Sequence, residues 1–419
     1  MTPTRDFQYY VCTDGSLGDV IPMVLIAREL RQAGQSVAMI ANERYQLLCE
    51  EAGAGFIPWS TERDLETFWD DALNWDRIKG FERFIQAWVG TVTPALVNIL
   101  SSVCTPQTTV IAQTMALGAR IARELIPFRL ITVHLQPIFL RSRYSVPLFP
   151  FAQKNFRLPS PAADAFYALL DLFADRALRP VSAIRENYGL SPIRRMLHCW
   201  IHSPDRTIAL FPPWFSAAQP DWPPGVHQTG FPGQGGFFKS NLDASAADFL
   251  KSNKAPVLVC LGSAQKHAEL LYKNIFAALR RLVLPVVASI PSGMACEPCD
   301  PSILLTRFIP FDRVLPHCHA FIHHGGIGSS AAGFKAGIPQ LVLPMAHDQF
   351  DNAARIQALR CGRFVPARSC RERHIRQFMQ EVNRGIFKEG CAFAQQHFDG
   401  EGALRKTREL CLATDGIFP

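Results

Sequence analysis

Two polar clusters, His323-His324-Gly325-Gly326-Ile327-Gly328-Ser329 and His347-Asp348-Gln349-Phe350-Asp351-Asn352, lie one helix and one strand apart in this chain. Glycines let main-chain N–H groups come close to an anion, and a helix opening near Gly328-Ser329 adds its positive end. His324 can donate a ring N–H to a phosphate oxygen. Ser329 reads as a phosphate ligand or as a helix cap, and Asn352 as a phosphate contact or a cap. Asp348 and Gln349 present acceptors and donors suited to sugar hydroxyls. A glycine loop alone is a weak signal, and the second cluster at this spacing is what gives it weight. His323 and His347 read as scaffolding.

These residues need elements to hold them. Ser330 to Ala336 is small and helix-favouring, and Gly337 is a helix stop. Gln340-Leu341-Val342-Leu343-Pro344 reads as a buried strand. The order is strand, glycine loop, helix, strand, polar loop, and in an open parallel sheet both loops emerge at the carboxyl edge, where ligands bind. The N-terminal part repeats the theme. Phe7 to Thr13 is a strand, a loop from Asp14 to Asp19 follows, and Val20, Val24, Leu25, Ala27 and Leu30 mark a helix that Gly34 stops. Ser36 to Ala41 is the next strand, and apolar segments recur at 109–113, 129–133 and 207–211. Pro137 to Pro161, rich in proline and aromatics, reads as a long substrate loop. Further strands are expected at 257–261, 285–290, 303–307, 319–323 and 340–344. Ser263, after Gly262 at the mouth of a strand, reads as a second phosphate contact or a turn residue.

The 419 residues are too many for one core and suit two domains. The expected division is 1–230, a linker 231–255, a second domain 256–402 and a closing helix 403–419. With 48% hydrophobic and 19% charged residues the composition is globular. The first residues lack the pattern of a signal peptide, and no uninterrupted apolar run reaches the ~20 residues that span a bilayer. Twelve cysteines scattered through the elements fit a reduced, cytoplasmic setting. A net charge of +7 suits an anionic ligand and contact with an anionic inner-membrane face, or is ordinary surface balance. No basic run with interleaved aromatics points to nucleic acid. Cys296-Glu297-Pro298-Cys299 has zinc-ligand spacing, but a lone pair is weak and reads as a surface loop.

The segment from Phe308 to Asn352 resembles the donor-binding signature of the inverting nucleotide-sugar glycosyltransferases that glycosylate small lipophilic molecules. By that resemblance His324, Gly328 and Ser329, with Gly325 and Gly326 of the same loop, would hold the donor diphosphate. Asp348 and Gln349 would hold the sugar, and Phe308, followed by Ile309, would lie against the base. Phe308 also reads as ordinary core. The blocks His202-Ser203-Pro204, Phe211 to Phe215, Asp221-Trp222-Pro223 and Thr229 to Pro232 resemble, within the family, the rhamnosyltransferases of rhamnolipid synthesis.

The resemblance implies a GT-B fold: α/β, two Rossmann-like doubly wound domains facing across a cleft. It implies no cofactor and no metal, and Asp-x-Asp does not occur in the chain. It makes Asp19 the general base, which would take the acceptor proton on the side of the sugar away from the leaving diphosphate. From position alone Asp19 equally reads as a helix N-cap, and Asp14 as a turn residue. Phe81, Phe84 and Trp88 share one helical face. Phe84, Trp88, Phe139, Tyr144 and Trp200 are expected to border a greasy acceptor pocket. The implied acceptor is a 3-(3-hydroxyalkanoyloxy)alkanoate and the implied donor dTDP-L-rhamnose, with an acceptor-making acyltransferase as a partner. Ala332, where many UDP-glucose relatives carry a glutamate for ribose hydroxyls, is compatible with deoxyribose. Departures from the pattern at Leu261, His323 and Ser329 keep UDP-glucose open, with a lipid, sterol or polyketide acceptor, as does a silent auxiliary role.

Overall fold

The computed structural model describes residues 7–152, 159–233, 244–262, 268–291 and 300–413. Ser263 and the Cys296–Cys299 pair lie outside the described residues. Two all-parallel sheets form the frame. The first holds β1 (Tyr9–Cys12), β2 (Val37–Asn42), β3 (Gly55–Ser60), β4 (Thr109–Gln113), β5 (Arg129–His134), β6 (Arg206–Ala209) and β7 (Val226–Gln228), in the order β3-β2-β1-β4-β5-β6-β7. The second holds β8 (Val257–Cys260), β9 (Val286–Ser289), β10 (Ile303–Thr306), β11 (Ala320–His323), β12 (Gln340–Val342) and β13 (Gly362–Phe364), in the order β10-β9-β8-β11-β12-β13. Helices cover both faces, so central strands such as β2 are buried along their whole length and read as unbroken apolar runs.

In each sheet the strand order reverses once, between β1 and β4 in the first and between β8 and β11 in the second. Such a switch point opens a crevice beyond the carboxyl ends of the strands. The loops after β1 and β4, and those after β8 and β11, are therefore the places where this topology makes room for ligands. They carry Asp14 and Met115 in the first domain, and Gly262 and His324 in the second.

Within the long helix Gly80–Val103 an 18-residue stretch has a mean hydropathy of 1.3, apolar and long enough by composition to cross a bilayer even though polar residues interrupt the helix. Its inner face, including Ile85, Trp88, Val92, Leu96 and Leu100, is core, packed on the helices Leu117–Leu125 and Arg179–Asn187. Residues Ile85–Val89 form a π-turn inside it. That extra residue per turn re-aims Phe84 and Trp88, a distortion that often marks functional positions.

The expected linker is partly regular structure. The Gly233 N–H donates to the Gly400 carbonyl at 3.3 Å, and Ala244–Ser252 is a helix. The closing helix runs over Gly400–Leu412, starting before residue 403 because Asp399 caps it through Gly402 N–H at 2.8 Å. It lies back on the first domain: Arg408 pairs with Glu29 at 3.2 Å, and Arg129 donates to the Cys411 and Leu410 carbonyls at 2.7 and 3.1 Å. Those two carbonyls have no partner within the helix, so the arginine also acts as its C-terminal cap.

Asp205 is a polar fastener between β5 and β6, beside the Arg129 that holds the closing helix. It accepts two hydrogen bonds from Arg123, at 2.9 and 3.1 Å, and one from the Leu130 N–H at 2.8 Å, with only 4% of its side chain exposed. Breaking a buried pair strands its partner. Asp205→Ala is expected to lower stability by about 3 kcal/mol, read as a shifted urea midpoint. Asp248→Ala, which removes a pair exposed on both sides at 3.5 Å, is expected to leave the midpoint unchanged.

Candidate active site

Both switch points open into one cavity of about 1580 Å³. That exceeds the ~300–1,000 Å³ of common small-ligand pockets and leaves room for two substrates. Asp19, His324 and Asp348 all line it, so the expected base and the expected donor residues share one crevice.

Asp19 stands in the first turn of the helix Leu17–Gln32, whose N-cap is Ser16. It is therefore not the N-cap but the third helical residue, and one of its oxygens accepts from the Ser16 N–H at 3.1 Å and the Ser16 hydroxyl at 2.8 Å. Capping and lining the cavity are combined in one carboxylate. Enclosure by protein raises its pKa, opposed by hydrogen bonds from Ser16 and Gln136. Gln136, on the loop after β5, also lines the cavity, and its oxygen has no hydrogen-bond partner. Nothing in the sequence singles Gln136 out.

Asp14 is not a plain turn residue. It is 7% exposed and accepts from the Trp59 indole N–H, from the Ser60 hydroxyl at 3.0 Å and from the Gly15 N–H at 2.8 Å. Burial outweighs these bonds and pushes its pKa up to about 7, with the Asp19 charge adding to the rise. A carboxylate directly after a central strand at a switch point was the signal available for it.

On the facing domain His324 is packed between two glycines. A Cβ at Gly262 would lie 3.1 Å from its ring, and one at Gly326 only 2.5 Å from Nε2. Burial lowers the His324 pKa to about 4, against the pull of the Cys260 carbonyl, so the ring is neutral at pH 7 and carries a single N–H. His323 holds the loop from behind: its Nδ1 accepts from Gly325 N–H at 3.1 Å and its Nε2 donates to Gln340 at 2.9 Å. Gly325 itself faces the core and does not line the cavity. Its φ of +96°, with Val342 and the Gln349 carbonyl where a side chain would go, explains the glycine.

The helix Ile327–Ala336 starts from Gly326, and the first N–H bonded along its axis is that of Ser330. The N–H groups of Ile327, Gly328 and Ser329 are thus left at the cavity wall, a ready anion site. Gly326 is the N-cap, so Ser329 is the third helical residue and not the cap. Phe308 is 40% exposed beside the cavity, out of the core, and Ile309 lines it too.

Asp348 lines the same cavity from the second domain. Its pKa rises to about 7 through burial, with the Asp19 charge the next cause, which places the two carboxylates within each other's field across the domain boundary. Asn352 neither caps a helix nor faces outward; it donates to Asp348 at 2.7 Å and to the Gly325 carbonyl at 2.9 Å, tying the two loops together. The Gln349 oxygen is taken by the Met345 and Ala346 N–H groups at 2.8 and 3.2 Å, which leaves its amide nitrogen without a protein partner among the described residues. His347 has φ +54° and sets its ring edge-on between Trp75 and Phe84 of the first domain.

Of the expected acceptor residues, Phe84, Trp88 and Phe139 line the cavity, joined by Phe81, Phe149 and Phe151. Two do not. Trp200 lies behind the wall, between Arg120 and Arg185, with its indole N–H on Glu124. Tyr144 is 61% exposed on the surface. Both belong to aromatic-rich segments that border the cleft, but their backbone aims the rings elsewhere.

Known proteins share this plan. Residues 274–396 match the family model described as erythromycin biosynthesis protein CIII-like, C-terminal domain. The O-mycaminosyltylonolide 6-deoxyallosyltransferase of Streptomyces fradiae is 28% identical over 377 residues, 83% of this chain and 82% of its own. The crystal structure of a kitacinnamycin glycosyltransferase superposes with a TM-score of 0.71 at 19% identity, over 97% of this chain and 98% of its own. The spinosyn rhamnosyltransferase SpnG, solved with thymidine diphosphate, superposes at 0.63 with 17% identity, over 96% and 100%. The chain has the GT-B fold of these glycosyltransferases.

Gly326 has φ −60°, so alanine is free of backbone strain there, yet its Cβ would collide with His324. Gly326→Ala is expected to weaken binding of an anion at this helix start, probed with inorganic pyrophosphate, by about tenfold or more, the loss of one hydrogen bond to the anion. Calorimetry on the variant, with an unchanged unfolding midpoint as control, checks it.

Proposed function

We propose that this protein is an inverting, metal-independent glycosyltransferase that moves L-rhamnose from dTDP-L-rhamnose to the hydroxyl of a 3-(3-hydroxyalkanoyloxy)alkanoate, giving a mono-rhamnolipid. The observation that carries the reading is the single cavity lined from one side by Asp19 and from the other by His324, Asp348 and the free N–H groups of a helix start.

The chemistry follows from those positions. The diphosphate rests on the N–H groups of Ile327, Gly328 and Ser329 and on the His324 ring, and the sugar hydroxyls meet Asp348 and Gln349. The acceptor oxygen bonds to the anomeric carbon from the Asp19 side as the carbon–phosphate-oxygen bond breaks. The alcohol proton passes to the Asp19 carboxylate, and the leaving diphosphate gains negative charge facing the helix end and the imidazole. Such preorganised donors are worth roughly 2.7–4 kcal/mol each in comparable sites. Asp19 is a weak base, so proton transfer comes late, when the oxygen has already bonded.

Rhamnose is supported by the fold shared with a rhamnosyltransferase that binds thymidine diphosphate, and by Ala332 where a glutamate would meet ribose. The lipid is supported by the aromatic wall of Phe81, Phe84, Trp88, Phe139, Phe149 and Phe151. An acyltransferase that makes the hydroxy-ester is the partner this reading calls for, and the inner face of the membrane is where such a product collects. The second reading is UDP-glucose with a lipid, sterol or polyketide alcohol; the relative named as an O-mycaminosyltylonolide 6-deoxyallosyltransferase supports a different acceptor from the lipid but not glucose as the sugar.

Asp19→Asn is expected to lower turnover by about 10²–10⁴, the range for a positioned base, with donor binding retained. Asp19 must be ionised to act and burial raises its pKa. Activity of the unaltered protein is therefore expected to fall as pH drops through a midpoint above the ordinary aspartate value of about 3.9, as kcat/KM profiles would read. A thermal-shift panel of nucleotide sugars is expected to give its largest rise with dTDP-L-rhamnose. A larger rise with UDP-glucose would overturn the donor assignment, and unaltered turnover in Asp19→Asn the base.

A further inference from the structure

Several cavity residues play no part in the steps above, and one of them is a cation. Arg77 follows the short turn Ala72–Trp75 and lines the cavity together with Ile78, Phe149 and Phe151. Its Nε donates to the Pro150 carbonyl at 2.5 Å, and its guanidinium lies over the Phe350 ring, 5.0 Å from the centroid. Stacking occupies the face of a guanidinium, and the carbonyl takes one of its five N–H groups. The two terminal nitrogens, which carry the other four, have no protein partner among the described residues.

Two other arginines of the wall are answered by carboxylates. Arg141 meets Asp171 at 2.7 Å, and Arg44 meets Glu62 at 3.6 Å. Arg77 meets none among the described residues. Its neighbour Asp76 is turned away, accepting from the N–H groups of Ile78 and Lys79 at 2.9 Å each and pairing with Arg368 at 3.6 Å. An apolar molecule filling this space would strip water from Arg77 and give nothing back, a costly arrangement for a charge. A molecule with one anionic end beside its apolar body would answer it, because a guanidinium edge matches a carboxylate through two parallel hydrogen bonds.

We infer that Arg77 is the acceptor's carboxylate anchor: the protein selects an anionic amphiphile, a hydroxy fatty acid or its ester-linked dimer with a free acid end, over neutral alcohols. This rests on the glycosyl-transfer reading and narrows its acceptor class. The anchor is fixed to both substrates' surroundings, since Pro150 belongs to the acceptor wall and Phe350 follows Asp348 and Gln349 on the sugar side. A carboxylate on Arg77 therefore sets how far along the acceptor chain the attacking hydroxyl lies.

The test uses the full-length protein and its Arg77→Met and Arg77→Lys variants, with a free 3-hydroxy fatty acid and its methyl ester as acceptors. The unaltered protein is expected to prefer the acid by about tenfold or more in kcat/KM, mainly through KM. Arg77→Met is expected to erase that preference, leaving ester turnover and thymidine diphosphate affinity within about twofold, and Arg77→Lys to restore part of it. An equal loss for acid and ester, or a preference that survives in Arg77→Met, overturns the assignment. If no acceptor turns over, the glycosyl-transfer reading fails, and calorimetry with decanoate and methyl decanoate still decides Arg77. Tighter binding of decanoate that vanishes in Arg77→Met supports the anchor, and equal binding of both ligands overturns it.

Discussion

Two helix starts meet across the cleft, and most of the site follows from that meeting. Gly18 and Gly328 both lie in first turns, and a Cβ on Gly328 would stand 3.7 Å from the Gly18 Cα. Each start carries the positive end of a helix, so bringing two together is unfavourable unless negative charge lies between them. Asp19 and Asp348 flank the gap, and burial raises the pKa of both, with the Asp19 charge adding to the rise at Asp348. An anion bound at these helix starts would supply the negative charge. Small residues at the contact are therefore required twice, once for the approach of the backbones and once for the anion.

The two halves of the site differ in how openly the sequence shows them. The donor half is local: His324, the glycines, Asp348 and Gln349 sit within one strand–helix–strand unit, so their order along the chain already dictates that they meet. The acceptor half is assembled from pieces far apart in sequence. Phe84, Phe139, Phe149 and Phe151 reach the wall from a helix with a π-turn and from a loop of no period. Counting aromatics finds such segments without telling which rings face inward, and so the expectation fails for Trp200 and Tyr144, which do not line the pocket. Asp14 shows the opposite error, since its Asp-Gly pair is a turn signal that hides a buried carboxylate.

The strands divide in the same way. Central strands such as β4 are buried throughout and stand out as apolar runs. The ones the sequence does not show, β3, β7 and β13, lie at sheet edges, where half-exposed residues such as Pro58, His227 and Arg363 dilute the pattern. The histidines follow burial as well. His323 reads as scaffolding, and the structure shows what it scaffolds: the N–H of Gly325, and through it the turn that presents His324.

His347 adds one property to the assembled pair. Its left-handed backbone directs the imidazole out of the second domain and into a socket made by Trp75 and Phe84 of the first, and it immediately precedes Asp348. The imidazole is thus a peg between the halves, fixed by aromatic edges. Any swing that parts the domains must draw that peg out, and the loop bearing Asp348 travels with it. Gaping of the molecule and withdrawal of the Asp348 loop from the first domain are one mechanical event.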